Sequence, residues 1–174
     1  GYTYWFTRDF RLNPSNPPLI REIAALPLLF LHLKAPLDHS SWETGNNIEF
    51  GQLFFYQYNK NADEIIFWAR FPIVVLSIVL GSFVFLWAKK LFGTSSGLFA
   101  LSLYTFCPNI LAHSQLAIND LGVSLFIFLA VFSLWNYIKR PSWYRLLLTA
   151  IAFGLAQSSK YSAVILYPIS ILLL

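Results

Sequence analysis

Asp120 is the residue of this sequence whose type and position best suit chemistry. The chain has eight acidic residues, seven of which fall within residues 1–64, so Asp120 is the single carboxylate of residues 65–174. It stands directly before the apolar run that begins at Leu121. An ionisable group at the edge of a membrane span is energetically costly and is by default a functional candidate. The alternative is a structural role, in which Asn119 or Asp120 caps the helix that follows.

Two cations also interrupt long apolar stretches. Arg70 is the one charged residue of 65–88, and Lys160 is the one charged residue of 146–174. The planar guanidinium of arginine and the compact ammonium of lysine both bind phosphate, so either residue could hold a phosphorylated lipid. The alternative for both is snorkelling, in which a long aliphatic stem lies in the membrane and the charge reaches its surface.

His113 and Asp9 are weaker candidates. An imidazole can exchange protons near neutral pH or bind a metal ion. No second histidine stands at helical ligand spacing from His113, so we predict no metal site and keep a structural role open. Asp9 has arginines close by at positions 8 and 11. An ion pair is therefore the favoured reading of Asp9, with a place near an active centre as the alternative.

The composition indicates what kind of scaffold carries these residues. The chain is 57% hydrophobic and 11% charged, whereas soluble domains carry about 45–50% apolar and about 25% charged residues. The apolar runs are continuous rather than alternating, which favours helices over strands. A membrane crossing needs roughly 20 helical residues. We therefore predict an all-α, polytopic transmembrane helix bundle, with helices at about 65–88, 94–112, 119–138 and 144–159 and another beginning in 161–174.

Basic residues set the orientation of these predicted spans. The loops after the first and third spans are basic and contain no acid, so the positive-inside rule places both in the cytoplasm. Residues 1–64, Asp120 and Lys160 then lie on the opposite side. Arg70 lies on that side too, and no basic patch suited to nucleic acid remains. The basic loop residues are Lys89, Lys90, Lys139, Arg140 and Arg145.

Residues 1–64 differ from the rest of the chain and predict a non-cytoplasmic loop region. They are rich in proline and in aromatic residues, which indicates an ordered segment. Asn16-Pro17-Pro18 predicts a helix start, with the amide as cap and prolines in the first turn. The helix of about 18–33 contains a proline and is too short for a span. We therefore expect an interfacial or re-entrant helix.

Four blocks of residues occur in an order and spacing typical of one family. The blocks are Gly1–Leu29, Asn61–Pro72, Pro108–Leu121 and Gly154–Ala163. Together they resemble the type-C (GT-C) glycosyltransferases. The resemblance is to the branch of protein O-mannosyltransferases, that is dolichyl-phosphate-mannose-protein mannosyltransferases, and aminoarabinose transferases. It extends over nearly the whole chain, so a GT-C-like bundle is the fold that it implies.

The resemblance also implies a reaction. A sugar passes, with inversion, from a polyprenyl-phosphate donor to an acceptor hydroxyl on the non-cytoplasmic face. Asp120 matches the second acidic position of the family, and Arg70 and Lys160 match cations that face the donor phosphate. The family's principal Asp-Glu pair would stand before Gly1. The chain contains no methionine and stops within an apolar run, so we expect a fragment. Because the first span and the principal catalytic carboxylate would lie outside it, we expect the fragment to be inactive by itself.

The loop motif departs from the family pattern. Relatives usually have Glu-His-Pro-Pro-Leu where this chain has Ser15-Asn16-Pro17-Pro18-Leu19. The carboxylate and the imidazole are both lost, so a divalent cation is possible but unsupported, and we expect no resident cofactor. The Pro-Pro helix start survives. The partners implied are membrane lipid, a lipid-linked sugar and an acceptor that is a protein, a lipid or a glycan.

Two other functions stay open at this point. A secondary transporter would need polar groups along a path through both leaflets, whereas the polar groups here gather on one side. An inactive, lipid-binding relative of the transferases is favoured by Ser15 and Asn16. In every case we predict a multi-pass protein, in a bacterial inner or plasma membrane or in the endoplasmic reticulum of a eukaryote. The sugar and the acceptor stay open.

Overall fold

The computed structural model describes residues 1–173, and its regular structure there is helical, with no strand. This confirms the predicted all-α class. The N-terminal third holds short helices: α1 (Tyr4–Thr7), α2 (Leu19–Ala25), a 3₁₀ turn (Pro27–Leu31), α3 (Ser40–Glu43), α4 (Asn47–Gln52) and a π-helical turn (Leu53–Tyr58). The rest of the chain holds α5 (Ala62–Phe92), α6 (Thr94–Thr105), α7 (Pro108–Ser114), α8 (Asn119–Lys139), α9 (Trp143–Gln157), a 3₁₀ turn (Tyr161–Ile165) and α10 (Leu166–Leu173).

Two helices of the described residues are long and apolar enough to cross a membrane. They are α5, with 31 residues, and α8, with 21. The core helix of a soluble protein would be mostly buried, but only 22% of the apolar window of α5 and 39% of that of α8 are buried. Their apolar faces therefore point outwards, as lipid-facing surfaces do. α9 has 15 residues, or roughly 22 Å at about 1.5 Å per residue, which is short of a hydrocarbon core of about 30 Å.

The run predicted as one helix over 94–112 is two helices. Cys107 has φ −68° and ψ 118°, an extended conformation that ends α6, and α7 begins at Pro108. The physical reason is local, because a proline ring pushes the preceding residue out of the helical region and supplies no N–H. The run over 161–174 is likewise a 3₁₀ turn followed by α10, and position 174 lies outside the described residues.

The helix predicted at about 18–33 is also divided. α2 ends at Ala25 and a 3₁₀ turn begins at Pro27, which has no N–H for an α-helical hydrogen bond. The predicted cap was wrong as well. The N-cap residue is Pro18, without a side-chain cap, and the Asn16 amide contacts Ser15 Oγ at 3.5 Å instead. The helix start at the Pro-Pro pair is retained, but Asn16 does not cap it.

Packing joins the elements into one bundle. α5 pairs with α6, α8 pairs with α9, and α5 packs against α8. α2 lies against both α5 and α8, so the loop region is in direct contact with the long helices. The core between them is built from small and branched side chains, including Ile20, Ile73, Leu121, Leu125, Ala130, Ala156 and Leu166.

Candidate functional site

Asp120 is the second residue of α8. The N-cap residue is Ile118, and no side chain caps this helix, so neither Asn119 nor Asp120 has the capping role that was the structural alternative. The free N–H groups and the dipole of the first turn favour a negative charge there. The buried side chain of Asn119 is used differently, since its amide donates to the carbonyl oxygen of Ser159 at 3.1 Å. That bond ties the start of α8 to the end of α9.

Lys160 follows the turn after α9 and reaches Asp120. Its Nζ donates to Asp120 Oδ1 at 2.5 Å, and the two side chains are 35% and 43% exposed. The predicted closeness of these two residues, which are 40 positions apart, is confirmed. A half-exposed ion pair contributes only about 1 kcal/mol or less in water. Its main consequence is therefore position, because the carboxylate and the ammonium are held together at one end of the bundle.

His113 faces the same carboxylate from the last turn of α7. Its Nε2 lies 3.9 Å from Asp120 Oδ2, which is longer than a hydrogen bond. Its Nδ1 lies 2.8 Å from the carbonyl oxygen of Asn109, a group that can only accept, so Nδ1 carries a proton. Nε2 is then an acceptor in the neutral ring and a donor in the protonated ring. His113 can thus exchange a proton at Nε2, beside Asp120.

An open cleft of about 290 Å³ lies between α7 and α8 at this point. The Asp120–Lys160 pair and the facing His113 together form what we call the charged cluster. The cleft gives Asp120 and His113 access to a ligand. Its lining residues are Asn109, Ile110, His113, Asp120, Leu121 and Ser124.

The loop region lies against the same end of the bundle. The backbone N–H of Leu19 donates to the carbonyl oxygen of Ser158 at 3.2 Å, two residues before Lys160. Ile20, which is fully buried, packs on Gly122 in the first turn of α8. Sequence reasoning missed both contacts and the role of Asn119. A polar amide at the start of an apolar run was a local signal for Asn119, whereas the two contacts join distant segments and left no local signal.

Arg70 and Asp9 are not part of the charged cluster. Arg70 is exposed on α5 and forms no ion pair within residues 1–173. Asp9 is bound within its own loop, where Arg11 Nε donates to Oδ2 at 2.7 Å and the backbone N–H of Arg11 donates to Oδ1 at 2.8 Å. These bonds to Arg11 lower the pKa of Asp9. The favoured reading of Asp9 as an ion-pair residue is confirmed.

Metal-binding capacity is small in this part of the chain. Among residues 1–173, no group of three or more histidine, cysteine, aspartate or glutamate residues is placed to hold a metal ion. His113 and Asp120 are two potential ligands that face each other. The cluster itself offers a carboxylate, an ammonium and an imidazole to a ligand that has both hydroxyl groups and a negative charge.

In this chain α5 and α8 expose wide apolar faces. Such faces are typical of helical membrane proteins. The chain belongs to the dolichyl-phosphate-mannose-protein mannosyltransferase family, whose match covers residues 61–174. This is a family of type-C membrane glycosyltransferases, so the resemblance seen in the sequence is confirmed. The match includes α5 to α10 and the whole charged cluster. No match was found among curated proteins or among solved structures.

Proposed function

We propose that this chain is part of a multi-pass membrane enzyme that transfers a sugar from a polyprenyl-phosphate donor to an acceptor hydroxyl. The transfer takes place on the non-cytoplasmic face and inverts the anomeric carbon. The observation that carries the proposal is the contact between Lys160 and Asp120, which lies beside His113 in the family-matched part of the chain. Five of the seven basic residues of 62–174 lie at the other end of the bundle, and by the positive-inside rule this supports a non-cytoplasmic position for the cluster.

The reaction requires little beyond position and charge. The acceptor oxygen attacks the anomeric carbon from the side opposite the phosphate, and the bond between that carbon and the phosphate oxygen breaks. The electron pair of this bond leaves with the polyprenyl phosphate, and the acceptor proton passes to a carboxylate. Negative charge grows on the leaving phosphate, so a fixed cation near it stabilises the transition state more than the ground state.

Lys160 is the cation that we assign to the donor phosphate. An ammonium has three N–H donors, and Asp120 takes one of them, so two remain for phosphate oxygens. The pair with Asp120 fixes the ammonium before the substrate arrives, which lowers the reorganisation needed during the reaction. Arg70 is an exposed cation on the same side, and we assign it to the approach of the lipid phosphate.

Asp120 is the carboxylate that we assign to the hydroxyl groups of the substrates. Its Oδ1 is bound by Lys160, whereas Oδ2 lies 3.9 Å from Nε2 of His113, and both Asp120 and His113 line the cleft. Oδ2 can accept a hydrogen bond from the acceptor hydroxyl or from the sugar, and the Nε2 of His113 can relay a proton beside it. With the substrates bound at the cleft beside Asp120, the apolar surfaces of the long helices stay in contact with membrane lipid.

The test uses the full-length protein and measures the transfer of a labelled sugar from a polyprenyl-phosphate donor. The variant Asp120→Asn keeps the shape of the side chain and removes its charge. We expect kcat to fall by about 10²- to 10⁴-fold while the protein still inserts into the membrane. Asp38→Asn is the matched control, because Asp38 is an exposed acid of the loop region. Wild-type kcat in Asp120→Asn would refute the assignment.

A further inference from the structure

A second cavity opens towards the end of the bundle opposite the charged cluster and extends along α9 as far as Leu155. It has a volume of about 580 Å³ and lies between α5, α8 and α9. Its walls are mostly apolar, and Asn136, Tyr144 and Arg145 place polar groups at its mouth. Asn136 at this mouth lies 16 residues after Asp120 along α8, or about 24 Å at about 1.5 Å per residue. The wall residues include Phe83, Leu129, Phe132, Leu148 and Leu155.

Cations are held in place at this mouth by neighbouring groups. Arg145 Nη1 donates to the carbonyl oxygens of Arg140 at 2.6 Å and Asn136 at 3.4 Å. The ammonium of Lys90 donates to Asn136 Oδ1 and lies 5.8 Å from the centre of the Phe132 ring. Lys90 comes from the end of α5 and Arg145 from the start of α9, so two helices bring their cations to one asparagine.

No acid balances these cations in the described chain. All eight acidic residues of the sequence lie in residues 1–64 or at position 120. At the other end, by contrast, Lys160 and Arg11 each have a carboxylate partner. The mouth therefore combines uncompensated positive charge with an apolar cavity. A ligand that matches both must carry an anionic head and a hydrocarbon tail. The cations at this end are Lys89, Lys90, Lys139, Arg140 and Arg145.

We propose that this cavity binds one anionic glycerophospholipid from the leaflet at this end, which the orientation above places on the cytoplasmic side. The phosphate of the lipid lies between Lys90 and Arg145, with one acyl chain along Phe132 and Leu148. Basic pockets between membrane helices on the cytoplasmic side bind anionic lipid heads in this way. A small soluble anion could bind the cations but would make no contact with the apolar walls of the cavity. The lipid is not the sugar donor, because the charged cluster lies at the far end of α8.

The experiment compares phosphatidylglycerol with phosphatidylcholine on the delipidated full-length protein, by native mass spectrometry of the bound lipid. The wild type should retain phosphatidylglycerol in preference to phosphatidylcholine. Lys90→Gln and Arg145→Gln should each weaken phosphatidylglycerol binding by about five-fold, the effect of one basic residue near an anionic lipid. Leu148→Trp, which fills the cavity without changing charge, should displace the lipid. Lys60→Gln is the matched control, because Lys60 is an exposed lysine of the loop region.

Each outcome decides the proposal. Equal retention of the two lipids by the wild type would overturn it. An unchanged phosphatidylglycerol preference in Lys90→Gln and Leu148→Trp would also overturn it, even if Arg145→Gln failed to fold through loss of its backbone contacts. A five-fold loss in Lys60→Gln would show that net charge alone attracts the lipid, and would overturn the site. The sugar-transfer proposal does not depend on any of these results.

Discussion

The two ends of the bundle treat charge in opposite ways. At one end Lys160 meets Asp120, and Arg11 in the adjoining loop meets Asp9. At the other end Lys90 and Arg145 are held by carbonyl oxygens, an amide and an aromatic ring, and neither forms an ion pair with an acid of residues 1–173. Paired groups suit a site at which charge moves during a reaction. Unpaired cations suit a permanent orientation in the membrane and the binding of anionic lipid.

The largest expected difference between the two ends is the side of the membrane from which each can be labelled. In a Cys107→Ser background, a cysteine at exposed Ser15 should react with a membrane-impermeant maleimide from the non-cytoplasmic side only. A cysteine at exposed Pro141, between α8 and α9, should react from the cytoplasmic side only. Labelling in sealed vesicles before and after permeabilisation measures this. If the cysteines at positions 15 and 141 both reacted from the same side of the membrane, the proposed orientation would be wrong, and so would the contrast between the two ends of the bundle.

The next effect concerns the ion pair of the charged cluster. Lys160→Gln in the full-length protein should lower kcat by about 10²-fold, because the developing phosphate charge loses its fixed cation. The loss in the double variant with Asp120→Asn should be smaller than the product of the two single losses, since the residues act as one unit. Steady-state transfer kinetics measure both. Multiplicative losses would show independent roles, and Lys160→Arg should restore part of the rate.

A smaller effect tests how the loop region is attached to the cluster. A Cβ atom added at Gly122 would lie 2.8 Å from Ile20 Cγ1, and Ile20 is fully buried. Gly122→Ala should therefore lower the free energy of unfolding by about 1–3 kcal/mol through overpacking. Gly154→Ala is the matched control, because no atom lies within 4 Å of its added Cβ. Thermal unfolding in detergent compares them, and equal midpoints would show that α2 is loosely docked.

The smallest effect is expected at Asp9. Its hydrogen bonds from Arg11 lower its pKa below the ordinary value of 3.8. A lowered native pKa stabilises the fold above the pKa of the unfolded chain, and this contribution disappears as the pH falls through the native value. Asp9→Asn should therefore reduce the unfolding midpoint slightly at pH 7 and not at all near pH 2. A difference that grew on acidification would contradict this sign. The side chains of Arg11 and Asp9 are 43% and 30% exposed to solvent, which screens their charges, so the effect stays below that of Gly122→Ala.

Individual residues show how far sequence reasoning extends. Asp120 was identifiable because acids are absent from the rest of residues 65–174, which is a property of the sequence alone. Lys160 was placed at the same depth by counting helical residues, but depth does not fix direction around a helix axis. The interruptions at Pro27 and Pro108 could have been found locally, since proline ends helices by its own geometry. The contact of Ile20 with Gly122 could not, because it joins segments about 100 positions apart.

The sequence by itself determined the helical class, the family resemblance and the restriction of the acids to residues 1–64 and position 120. The helical class follows from local hydropathy and from the need of every backbone group in lipid to find a hydrogen bond within its own helix, whereas the resemblance follows from the order and spacing of residue blocks. The tertiary structure alone decided which groups meet. The turn after Gln157 and the bond from Asn119 to Ser159 rotate Lys160 towards Asp120 and leave Arg70 outside. Which cation contacts Asp120 depends on how the helices pack against each other, and this packing cannot be derived from the sequence of any single helix.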